Sequence, residues 1–212
     1  MEMKTWLSAF ASSIQRHLGE ARRRELMRGS EELPVGSSLG AKEKRAAWLK
    51  ASIDRLDSVT DAETACKVLV DSCPHIYSKG RIDKMRKQYE KLGSIDKLLE
   101  VMRSDTSYGG GSFYDYPRRE GDMIHVTKVP CNPRKHAAAS TDEEKRLAYC
   151  HCSMAKGRIG TLSPTFCCCS GGWVKQLWEG VLRVPLEVSL TESLLKGDER
   201  CTHSFRVPAE LL

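Results

Sequence analysis

The stretch Gly171-Gly-Trp-Val-Lys-Gln-Leu-Trp-Glu-Gly-Val-Leu-Arg183, with Leu186-Glu-Val-Ser-Leu-Thr191, Lys196-Gly-Asp198 and Arg200-Cys-Thr-His-Ser-Phe-Arg-Val207 after it, decides the fold. In the first segment Trp173, Val174, Leu177, Trp178 and Val181 recur at the spacing of one helical face. Leu186, Val188 and Leu190 then alternate with Glu187, Ser189 and Thr191, the pattern of a half-buried strand. Lys196-Gly197-Asp198 supplies a turn, and Cys201, His203, Phe205 and Val207 share one face of a second strand. The unit is a helix packed on a closing antiparallel β-hairpin.

Outward from this unit, Asp122 to Val129 alternates as another strand, with Ile124 and Val126 on one face and Met123, His125 and Thr127 on the other. The segment Tyr108-Gly-Gly-Gly-Ser-Phe-Tyr-Asp-Tyr-Pro117 cannot continue a helix cheaply and reads as a loop or hinge, either a cover that lays its aromatic residues over a binding site or a connector. Everything before it is helical in pattern. Leu7, Phe10, Ile14 and Leu18 mark one helix, and a Gly-, Ser- and Pro-containing linker from Gly29 to Gly40 follows. Leu49, Ile53 and Leu56 mark a second helix. Thr60-x-x-Glu63 is the expected capping box of a third, which Pro74 closes. Lys79 to Arg103 is helical with a break near Gly93-Ser94. The expectation is an α+β fold: a helical part over 1–107 and a cysteine-rich α+β part over 108–212, together forming one compact domain.

The 212 residues suffice for a substantial core, and no apolar run approaches the roughly 18 residues that span a bilayer. The net charge of +6 is spread along the chain; its densest cluster, Arg22-Arg23-Arg24, is flanked by Glu20 and Glu25. No basic stripe with interleaved aromatics suggests nucleic acid. The first residues lack the basic start and long apolar run of a secretory signal, so a cytoplasmic location with reduced thiols is expected.

The chain has 9 cysteines, and their arrangement carries the functional expectation. Cys150 and Cys152 are two apart, as are Cys167 and Cys169, so in extended segments each pair shares a face. Two such segments facing one another offer four sulfurs to zinc or an iron–sulfur cluster, with Cys131 able to replace one of them. Alternatively, Cys169 stands just before the last helix, where unpaired backbone N–H groups favour a thiolate nucleophile. His125, His151 and His203 are the candidate bases. Cys66 and Cys73 are expected as core residues, His17 and His136 as surface ones, and Trp173 and Trp178 as a packing pair.

The run Phe166-Cys-Cys-Cys-Ser-Gly-Gly-Trp-Val-Lys-Gln-Leu-Trp-Glu179, the strand Leu186 to Ser193 and the turn Lys196-Gly-Asp-Glu-Arg-Cys201 carry a family resemblance. They resemble the closing helix and hairpin of vinyl-4-reductase-like and L-2-amino-thiazoline-4-carboxylic acid hydrolase-like ligand-binding domains, in particular a cysteine-rich bacterial subgroup. The similarity covers Met123 to Val207. It implies helices packed on an antiparallel sheet, a small-molecule pocket between them, and commonly a homodimer. By this resemblance Cys169, Trp173, Glu192, Cys201 and His203 lie at or near the pocket, His203 standing where the family has an aromatic residue. The expected function is small-molecule binding at a thiol-rich site, with hydrolysis of a C–N or C–S bond by Cys169 as its enzymatic form. The alternative expectation is a metal-binding or redox-sensing protein.

Overall fold

The computed structural model describes residues 3–104 and 113–212. The glycines of the expected hinge, Gly109 to Gly111, lie outside these. Five helices come first: α1 (Met3–Met27), α2 (Leu39–Val59), α3 (Ala62–Val70), α4 (Lys79–Leu92) and α5 (Ile95–Ser104). Strands β1 (Arg118–Glu120) and β2 (Met123–Thr127) follow, then α6 (Pro133–Ala138), α7 (Asp142–Tyr149) and a 3₁₀ segment over Pro164–Ser170. Helix α8 (Gly171–Leu182) and strands β3 (Val188–Glu192) and β4 (Thr202–Arg206) complete the frame. The α+β class and the closing helix-and-hairpin are as the sequence predicts.

Local chemistry explains most boundaries. Ser38, Asp61 and Ser78 accept backbone N–H groups at the starts of α2, α3 and α4. The break near Gly93 is a left-handed C-cap, φ 62°, which separates α4 from α5. Gly19, φ 83° and ψ 172°, leaves the helical region and kinks α1. Two expectations need correction here. The Thr60 hydroxyl donates to the Leu56 carbonyl at the end of α2, so it does not cap the next helix. Asp61 does so, and α3 stops at Val70, well before Pro74.

The sheet is wholly antiparallel, in the order β1-β2-β4-β3. Its register sets Ile124 and Val188 against Phe205, and Val126 and Leu190 against His203. Residues opposite one another share a face, so this face is apolar apart from His203. It packs on α4, α5 and α8, burying Met85, Leu98, Met102, Trp178 and Phe205. The other face is a ladder of hydroxyls and one imidazole: Thr127 pairs with Thr202 at 2.9 Å, and His125 Nδ1 with Ser204 Oγ at 2.7 Å.

A second apolar cluster joins Trp6, Phe10 and Ile14 of α1 and Leu49, Ile53 and Leu56 of α2 to Val68 of α3 and Phe166. Each fully buried side chain of this size stabilises the fold by about 1.5–3 kcal/mol. Both clusters draw residues from either side of position 108, so the helical part and the cysteine-rich part share one interior.

Three glycines set how closely the helices approach. A Cβ on Gly172 would overlap the Val70 carbonyl oxygen and stand 2.5 Å from Cys73 Cβ. One on Gly171 would stand 3.0 Å from the His203 ring, and one on Gly180 would overlap Ile82. The start of α8 is thereby pressed against the end of α3, directly below His203. Among the described residues, no helix is long and apolar enough to cross a membrane.

Candidate functional site: a thiol-walled aromatic cavity

Beyond the ends of β2 and β4 the chain forms a partly open cavity of about 470 Å³, a size ordinary for small-molecule sites. Its position follows from three tethers. The N–H of Lys128, just past β2, donates to the Cys201 carbonyl, just before β4, at 2.9 Å. Tyr149 at the end of α7 sends its hydroxyl to the Lys128 carbonyl and accepts the Cys201 N–H. Helix α7 is itself fixed by a capping box, in which Thr141 and Glu144 exchange hydrogen bonds with each other's backbone. The loop after α7 is then held over the cavity by His151, whose Nε2–H donates to the Val129 carbonyl at 2.7 Å.

One wall is aromatic. Trp173, on the first turn of α8, contacts His75 at 5.1 Å, Tyr77 and Phe113 at 5.0 Å, and Tyr114 at 5.7 Å between ring centroids. Phe113 in turn meets His151 at 4.8 Å. Tyr114 holds the wall in place by donating its hydroxyl to the Ser170 carbonyl at 3.2 Å. The Trp173 Nε1–H is buried and finds no acceptor among the described residues. Lys128 lines the cavity with Arg146 and Lys156, and its ammonium acts on the neighbouring thiols and imidazoles. Burial holds both His75 and His151 below the usual histidine range, hence neutral at pH 7.

The other wall is sulfur: Cys150, Cys152, Cys167, Cys169 and Cys201 all line the cavity. Burial pushes the Cys150 thiol up to about 11 and that of Cys167 to about 12. Cys169 is also raised well above the ordinary thiol value, by its hydrogen bond to Cys73 and by burial. Cys73 moves the other way. It accepts the Cys169 S–H and the backbone N–H groups of His75 and Trp173, and these donors outweigh its burial.

Several sequence expectations are redistributed by this geometry. Cys66 and Cys168 form a disulfide, against the expectation of wholly reduced thiols. The reason is local: α3 packs along the 3₁₀ segment, and the two Cα atoms come to 5.3 Å, within bridging range. Cys167 and Cys169 do not share a face of an extended segment. Ser163 caps and Pro164 starts a 3₁₀ turn, which rotates successive residues by about a third of a turn. Cys150 caps the end of α7. Among the described residues no three His, Cys, Asp or Glu side chains are gathered closely enough to hold a metal ion. The zinc or iron–sulfur expectation on Cys150, Cys152, Cys167 and Cys169 therefore rests on their spacing alone.

Of the residues named by resemblance, Cys169, Trp173 and Cys201 line the cavity, whereas Glu192 and His203 do not. Glu192 accepts from the Thr202 hydroxyl and from Arg200 at 3.1 Å, next to an irregularity in the β3–β4 register. His203 is fully buried beneath Gly171, and burial lowers its pKa to about 3. Its Nε2 lies 3.2 Å from Ser170 Oγ and 3.4 Å from the Cys167 carbonyl. The Ser170 hydroxyl donates to that same carbonyl at 3.0 Å, so Nε2 carries the proton and donates to the serine. A histidine in that tautomer takes no proton from Ser170. His125 sits on the hydroxyl face of the sheet, away from the cavity. His151 is the one expected base that lines it.

The fold and site thus define an α+β domain with a partly open, thiol-walled aromatic cavity at the end of its sheet. No family model matches the chain, and neither does any curated protein or solved structure.

Proposed function

We propose that the chain is a small-molecule-binding domain whose cavity takes a planar aromatic anion. The observation that carries this reading is the aromatic wall around Trp173, set in one cavity with the Lys128 ammonium. Offset and edge contacts from Trp173, Phe113 and His75 suit a flat ring. Lys128, Arg146 and Lys156 outnumber the one lining carboxylate, Glu143, so an anionic ligand is preferred over a neutral one.

Binding, rather than turnover, is the activity best supported. Its hydrogen bond and burial raise the Cys169 thiol, and His151, the one expected base that lines the cavity with it, spends its Nε2–H on the Val129 carbonyl. The test is fluorescence titration with 1-anilinonaphthalene-8-sulfonate, an aromatic anion. Saturable binding should weaken about tenfold in Lys128→Met and by more in Trp173→Leu, the cost of losing a charge contact or a ring wall. Val35→Ser, at a residue 99% exposed, should leave it unchanged. Absence of saturable binding, or equal affinity in all four proteins, would overturn the reading.

A further inference from the structure

We propose that the cavity takes an amphiphile: an aromatic anion whose ring lies against Trp173 and whose apolar chain leaves through a mouth formed by Phe113, Leu147 and Ile159. This rests on the binding reading above and names the class of ligand that the same cavity admits. The cavity is partly open, and its 470 Å³ exceed what one aromatic ring fills. Of the large apolar side chains exposed among the described residues, three line it: Phe113 at 40%, Leu147 at 38% and Ile159 at 37%. A single exposed apolar side chain is ordinary on a protein surface. Three from separate segments around one opening form an apolar exit, which a ligand chain would remove from water.

Local structure holds these segments together. Leu147 lies in the last turn of α7, and a Cβ on Gly157 would stand 3.6 Å from its Cδ2, so the turn after the helix rests on it. Gly157 has φ 73°, a left-handed conformation that a larger residue adopts only with strain. Hydrogen bonds pin the chain on both sides of that glycine. Lys156 N–H donates to the Cys152 carbonyl at 2.8 Å, and Arg158 N–H to the Ala155 carbonyl at 3.1 Å. Ile159 follows directly and lines the same cavity. Phe113 joins the mouth to the interior, because its ring meets Trp173 at 5.0 Å and His151 at 4.8 Å. The apolar lining therefore runs from the ring wall to the opening.

Charge sets which end of the ligand enters. Lys128 is anchored where β2 ends, its N–H donating to the Cys201 carbonyl at 2.9 Å, and its side chain lines the cavity. Glu143 stands four residues before Leu147 on α7, hence on the same side of the helix, and it too lines the cavity while exposed. A carboxylate at the mouth repels an anionic group placed there and leaves an apolar chain undisturbed. Arg146 is turned to the Gly197 carbonyl at 3.2 Å. Lys156, exposed beside Gly157, keeps its head in water while its methylene stem extends the apolar rim. The anionic group therefore lies at Lys128, the ring on Trp173, and the chain past Leu147 and Ile159.

The experiment measures displacement of 1-anilinonaphthalene-8-sulfonate from the full chain by benzoate, 4-butylbenzoate, 4-hexylbenzoate and 4-octylbenzoate, each below its micelle concentration. Affinity is expected to rise about twofold per methylene, half the effect of complete burial because the mouth covers the chain on one side. From the butyl to the octyl compound that is a gain of about tenfold or more. In Leu147→Ser/Ile159→Ser the same ratio should fall to about threefold or less. Lys128→Met should weaken every member by a similar factor and keep the ratio. A parent series that binds with no dependence on chain length overturns the proposal and leaves the binding reading standing. So does a steep series that is equally steep in the double variant, because the chain then leaves elsewhere. Uniform weakening in Lys156→Met, with none in Lys128→Met, would place the anionic group at the rim and overturn the orientation. If neither the fluorescent anion nor any benzoate binds, the binding reading fails and this proposal with it.

Discussion

His203 makes the fold sensitive to acid in a way that can be calculated. It is fully buried and neutral, with a folded-state pKa of about 3 against 6.5 in the unfolded chain. Between those values the unfolded chain binds a proton that the folded chain does not. The contribution of His203 is therefore fully present above about pH 6.5 and falls as the pH is lowered toward 3. The slope approaches about 1.4 kcal/mol per pH unit, so moving from pH 7.5 to pH 5 costs about 2 kcal/mol. His75 and His151, also held low by burial, act in the same direction. A comparison isolates His203: urea unfolding of the parent protein and of His203→Gln at both pH values. The Gln amide can still donate toward Ser170 but does not titrate. The variant is expected to be less stable at pH 7.5, yet to lose about 2 kcal/mol less than the parent on going to pH 5. Equal losses in the two proteins would show that His203 titrates normally, and would refute its placement beneath Gly171.

Gly172→Ala should destabilise by about 3 kcal/mol or more, since its Cβ meets a backbone carbonyl that no rotamer change can move; urea unfolding with an unchanged midpoint would contradict that contact. Replacing Cys66 and Cys168 together by Ser should cost about 4–5 kcal/mol, because the bridge spans 102 residues of sequence. Calorimetry that shows no fall in Tm would count against the bridge. Thr141→Ala removes the cap of α7 and should cost about 1 kcal/mol, with weaker binding of the aromatic probe because Arg146 and Tyr149 ride on that helix. Urea unfolding and probe titration together check this, and tighter probe binding would contradict it.

The frame of this protein was legible because its signals are local. The period of Val174, Leu177, Trp178 and Val181, the alternation around Ile124 and Phe205, and the glycine at position 93 each act within a few residues. Capping was less so: Thr60-x-x-Glu63 and Thr141-x-x-Glu144 look alike as sequence. Only the second is a box, because the Thr60 hydroxyl is already spent on the Leu56 carbonyl. The site was legible in part. Cys169, Cys201 and Trp173 flank the closing unit and could be found from it. The aromatic loop before β1 was legible as a possible cover, and Phe113 and Tyr114 do line the cavity, whereas His75 and Lys128 reach it through pairings far apart in the chain. Cys73 reads as a packed thiol, and it packs against the α1–α3 cluster with the start of α8 brought against it at Gly172. The four paired cysteines suggested a metal site because spacing was read as extended backbone, whereas Pro164 and Ser163 wind one pair into a 3₁₀ turn.

The most direct measurement of the cavity as a binding site is residue-resolved thiol protection. The folded protein is treated with iodoacetamide with and without saturating 1-anilinonaphthalene-8-sulfonate, and alkylation is quantified at each cysteine by mass spectrometry. Slower modification of Cys152 and Cys201, which line the cavity, is predicted, with the exposed Cys131 outside it unaffected. Equal protection of Cys131, or none at Cys152 and Cys201, would contradict binding in the cavity.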